Sequence, residues 1–234
     1  MKLSSEQIEK LFHFTRQHYV EFYDLQTELV DHLANAIEAQ WQENPNLNFD
    51  ALLQLEFKKF GVFGFQDVID KRKNALRKSY NSIVWNNFKV FFSIPTVVGT
   101  LLSVLILFQI FLKLSFAQET LQAIAFGIII IAFTKLFINQ KSTKNRFKQT
   151  TRKYMFDDCI QNYGYTGVTG FIGSLIPQLI VKSSFIVKTE PFWLLVFCFF
   201  LISLIIFFYI ILFQIPQKTE LYLLQKYPNI KIHI

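Results

Sequence analysis

Along this chain the spacing of apolar positions falls into two regimes. Over residues 4–60 they recur every three to four positions, the period of a helix with one buried face. Ile8, Leu11, Phe12, Thr15, Tyr19 and Phe22 share one such face, and Leu25, Leu29, Leu33, Ile37 and Trp41 share another. Ser4 followed by Gln7 makes an S-x-x-Q capping box, so the first helix is predicted over residues 4–22. A second is predicted over 25–42 and is broken by ENPNLN. Asn48 then caps a short third helix that carries Leu52, Leu55 and Phe60 and stops at Gly61. After GVFG, Phe65 opens a fourth helix directed towards the first long apolar run. Helices this short are marginal alone, so they are expected to share one core made by Leu11, Phe12, Leu29, Leu33, Ile37, Trp41, Leu52 and Phe60.

From residue 90 onward the periodicity gives way to continuous apolar runs. Val90 to Leu112 holds 23 residues without a charge, about 34 Å of helix at 1.5 Å per residue. That exceeds the hydrocarbon thickness of about 30 Å. Four spans are predicted, at about 90–112, 121–139, 160–181 and 192–215. Lys135 lies near one end of the second, where its stem reaches the headgroups. The predicted fold is therefore all-α and membrane-integral. It comprises a helical domain at 1–84, a four-helix transmembrane domain at 85–217 and a tail at 218–234.

Composition agrees with that division. Only 18% of residues are charged and 52% are apolar, whereas soluble domains are about a quarter charged. The net charge of +7 hides a split: residues 1–70 carry −7 and residues 71–234 carry +14. The basic excess flanks apolar runs, which fits membrane topology and excludes nucleic acid as the expected partner. Lys and Arg number fifteen in the segments expected on one side and three in the other two loops. Both termini are thus expected in the cytoplasm. The first twenty residues are charged throughout, so no cleavable signal peptide is expected. Two distant cysteines exclude a disulfide scaffold and a CxxC site.

The string YDLQTELVDHLANAIEAQW, followed by a Pro-containing break and a helix ending in KKFG, resembles the permease-prefix or HAAS type of helical domain found before membrane segments in bacterial proteins. Glu28, Leu29, His32, Leu33, Ile37 and Glu38 fill its ELxxHLxxxIE pattern, and Gly61 its closing position, over about residues 5–75. The GVFGF stretch departs from the Gly-Asp/Asn-Pro turn usual there. The resemblance implies a non-catalytic cytoplasmic regulatory or adaptor module, and a bacterial inner (cytoplasmic) membrane for the spans.

Candidate chemistry is sparse. Neither G-x-x-x-x-G-K-[ST], G-x-S-x-G nor HExxH occurs, and no enzyme activity, cofactor or metal is expected. Glu28 and His32 lie one turn apart, but no second well-spaced pair completes a metal site, so Glu28, Asp31 and His32 are read as a partner-binding patch. In the third span, Gly167, Gly170, Gly173 and Ser174 with Pro177 predict close helix packing, within the chain or across a homo-oligomer. Gln178 is the candidate intramembrane polar site. Lys141, Lys144, Arg146, Lys148, Arg152 and Lys153 are candidates for contact with anionic lipid headgroups of the bilayer. The expected function is a sensor, adaptor or accessory subunit that binds another membrane or cytoplasmic protein. The alternative is a small oligomeric permease with the third span lining its path.

Overall fold

The computed structural model describes residues 2–150, 152–188 and 190–226. Among these it is entirely helical, and four helices are long and apolar enough to cross a membrane. Two compact units divide the chain: residues 1–78 with 147–159, and residues 79–146 with 160–234.

The first unit begins with α1 (Ser5–Gln17). The predicted capping box is present: the Ser4 hydroxyl accepts from Gln7 N–H at 3.3 Å, and Gln7 Oε1 accepts from Ser4 N–H at 2.8 Å. The helix stops five residues before the predicted end at Phe22. Tyr19 takes φ 62° and its side chain stands 85% exposed, so neither Tyr19 nor Phe22 continues the α1 stripe. Next comes α2 (Tyr23–Glu43), whose Leu25, Leu29, Leu33 and Ile37 are buried as the stripe predicts. The helix α3 (Phe49–Lys58) starts where Asn48 Oδ1 accepts from Ala51 N–H at 2.7 Å. Gly61 and Gly64 both have positive φ and turn the chain into α4 (Gln66–Val90), whose residues to Lys78 belong to this unit.

Of the expected core, Leu11, Leu29, Leu33, Ile37 and Leu52 are buried, while Phe12, Trp41 and Phe60 are half-buried. Phe14 and Phe65 are buried where the stripe omits them, and Phe57 packs edge-on against each at 5.0 Å. The remaining core residues include Met155 and Phe156, each 1% exposed, from the start of the third apolar helix.

The second unit contains the apolar helices. The first is α5 (Thr96–Lys113), which starts six residues later than predicted. Pro95 is the cause: it lacks a backbone donor and disfavours helical geometry at Ile94. The second, α6 (Ala117–Thr150), runs well beyond residue 139 and takes Lys141, Lys144 and Lys148 into the helix rather than a loop. The third begins at α7 (Met155–Asp158), passes through a π-helical turn at Cys159–Gly164 and continues as α8 (Tyr165–Val181). After the short α9 (Ser183–Val187), α10 (Pro191–Tyr209) leads through a second π-helical turn, Ile210–Gln214, into α11 (Ile215–Lys226). Val104 and Phe111 of α5 pack with Leu194, Cys198 and Leu201 of α10 and Leu121 of α6 in one buried cluster.

Candidate functional site

In the first unit, the α1–α2 junction grips the segment around Lys153. With α1 ended at Gln17 and Tyr19 in the left-handed region, Val20 turns inward and Glu21 to Asp24 present their polar groups together. Tyr23 N–H donates to the Lys153 carbonyl at 2.8 Å. Met155 N–H donates to Asp24 Oδ1 at 3.1 Å, which satisfies an amide at the start of α7. The Lys153 ammonium pairs with Glu21 Oε2 at 3.1 Å, and the Arg152 guanidinium lies 4.0 Å from the Tyr23 ring centre. Tyr154 packs edge-on against Tyr23. Burial raises its phenol above the usual tyrosine range, with the adjacent Arg152 opposing. Backbone, charge and ring contacts therefore all fix this short segment.

An open groove of about 780 Å³ adjoins these contacts. Glu9, Phe12 and Arg16 of α1 line it, together with Arg152 and Lys153. Phe12 and Tyr23 lie nearly parallel, 7° apart, with centres separated by 6.4 Å.

The second unit has a polar arrangement of another kind. Asn139 Nδ2 on α6 donates to the Leu212 carbonyl at 3.0 Å, within the second π-helical turn. A side chain entering a helical ladder in this way is a recognised cause of local irregularity. One turn earlier on α6, Lys135 places its ammonium 4.4 Å from the Phe213 ring. Gln214 Nε2 donates to Asn87 Oδ1 on α4 at 2.9 Å, and Asn87 also reaches the Tyr222 hydroxyl of α11 at 3.4 Å.

The predicted site residues fall differently. Glu28, Asp31 and His32 are exposed on α2; Glu28 pairs with Arg72 at 3.6 Å and His32 meets the Phe60 ring edge-on. No group of three or more His, Cys, Asp or Glu able to hold a metal occurs among the described residues. Lys141, Lys144 and Lys148 are exposed on α6, and the side chain of Arg146 lies outside the described residues. Arg152 and Lys153 are engaged by the first unit, as above.

The packing role of the glycine stripe within the chain is corrected. Gly167, Gly170 and Gly173 are exposed, and a Cβ added at any of them meets nothing within 4 Å. Ser174, Pro177 and Gln178 are exposed too. The helix packs instead through Val168, Ile172 and Ile176, one turn apart on its other face. The glycine at which close approach matters is Gly164, where a Cβ would overlap the Tyr80 hydroxyl. The sequence offers no local signal for this distinction, because all four glycines share one spacing.

No family model, curated protein or solved structure matches the chain. The likeness of residues 5–75 to the permease-prefix type therefore rests on the quoted residues.

Proposed function

We propose that the chain is a non-enzymatic sensor, adaptor or accessory subunit of the bacterial inner membrane. In this reading both termini lie in the cytoplasm, and the acidic helical unit binds a partner protein. One observation carries it: the first unit builds the start of the third apolar helix, with the residues just before it, into its own core. Met155 and Phe156 are buried there, and five polar or ring contacts hold residues 152–155. A partner bound to this unit would thus act on a segment covalently continuous with two spans. The exposed acidic face with Glu28 and Asp31 supplies a surface of the right character for a basic partner.

The test is co-purification of the tagged full-length protein from its native membrane in mild detergent. A stoichiometric protein partner is expected, and the pair Glu28→Lys with Asp31→Lys should reduce its recovery about tenfold or more. Recovery of the chain alone, or of the partner in undiminished amount with that variant, would overturn the reading.

A further inference from the structure

The groove beside α1 is lined by groups that suit different parts of a single ligand class. Phe12 is half-buried, parallel to Tyr23, and leaves ring surface accessible in the groove. The Arg152 guanidinium already lies over Tyr23, which extends the planar surface with a second kind of stacking platform. Arg16 and Lys153 border the same space. Three of the charged lining residues are basic (Arg16, Arg152 and Lys153) and two are acidic (Glu9 and Glu21), with Lys153 paired to Glu21. Glu9, Phe12 and Arg16 stand at i, i+3 and i+7 on one helix, about 10 Å from end to end.

We propose that this groove binds a nucleoside phosphate. The base stacks on the Phe12 and Arg152–Tyr23 surfaces, Arg16 takes the phosphate through charge-assisted hydrogen bonds, and Glu9 accepts from a sugar hydroxyl or an exocyclic amine. The volume of about 780 Å³ falls within the range of small-molecule sites. An acyl chain fits worse, because the groove is open and five of its lining residues are charged. Inorganic phosphate would leave the aromatic surface unused. A cytoplasmic position of the groove, taken from the proposed function, gives it access to such ligands.

The experiment titrates the full-length protein in neutral maltoside detergent with ADP, GDP, adenosine and inorganic phosphate, following heat. At least one nucleotide is expected to bind with Kd below about 1 mM, with adenosine and phosphate each about tenfold weaker or more. Arg16 is exposed, so Arg16→Gln should keep the melting temperature and weaken the nucleotide about tenfold or more. Phe12→Leu keeps an apolar side chain while removing the ring, and should weaken it about fivefold or more. The assignment is overturned by absence of nucleotide binding up to about 1 mM, by phosphate binding as tightly as the nucleotides, or by Arg16→Gln binding as tightly as the parent. Recovery of a partner protein is measured separately, so either result stands if the other fails.

Discussion

The two units hold their long-range polar contacts together with different chemistry. In the first, the segment around Lys153 is held by an ion pair, a carboxylate on a backbone amide and a cation over a ring. In the second, the contacts between distant helices are carried mainly by neutral amides and hydroxyls: Asn87 with Gln214 and Tyr222, Asn139 with Leu212, Gln122 with Ser183. Solvent explains the contrast. Glu21 and Lys153 are each more than half exposed, so ionising them costs little and their attraction is screened. Between apolar helices a charge is expensive, whereas an amide satisfies its partner without a net charge to desolvate. Lys135, inside the second apolar helix, is the exception, and its ammonium lies against the Phe213 ring.

The comparison can be broken at three strengths. The largest effect is expected in the apolar core that both parts of the first unit share. Leu33 is fully buried, so Leu33→Ala should destabilise that unit by about 2–5 kcal/mol. Thermal unfolding followed through the unit's tryptophan, Trp41, would show it. An unchanged midpoint would mean the first unit does not depend on this core. An intermediate effect is expected from Asn87→Leu, which removes the Oδ1 that accepts from Gln214 Nε2 and leaves that amide donor unpaired, at about 1–3 kcal/mol. Because the network is neutral, this loss should be the same at low and high salt. The smallest belongs to Glu21→Gln, under about 1 kcal/mol and fading as salt rises from 10 mM towards about 1 M. Salt dependence that follows Asn87 rather than Glu21 would remove the solvent explanation.

Local signals were legible and tertiary ones were not. Ser4 with Gln7 and Asn48 with Ala51 are contacts between residues three apart, so the spacing alone places them. The Leu29, Leu33 and Ile37 stripe and the four apolar helices follow from periodicity and run length. The end of α1 was missed because Tyr19 fits the helical period, yet its backbone turns left-handed there. The grip on Lys153 was missed for another reason. Its partners are about 130 residues away, and a basic stretch between spans carries the same pattern whether it meets lipid or protein. Glycine spacing misled similarly: whether a glycine is needed depends on the neighbour, and only Gly164 has Tyr80 against it.

The division of the first unit between residues 1–78 and 147–159 has a consequence for biosynthesis. Its first part leaves the ribosome early, but Met155 and Phe156 arrive about 80 residues later, roughly 4 to 16 s at ordinary elongation rates. Between those moments the first two apolar helices are made. If they insert as a hairpin, residues 147–159 return to the compartment where the first part waits, and the core closes. If only one of them crosses, the later segment is stranded on the far side and the unit stays open to proteases. Completion of this small core therefore depends on a chain that has crossed once crossing back, a dependence built into the order in which it is written.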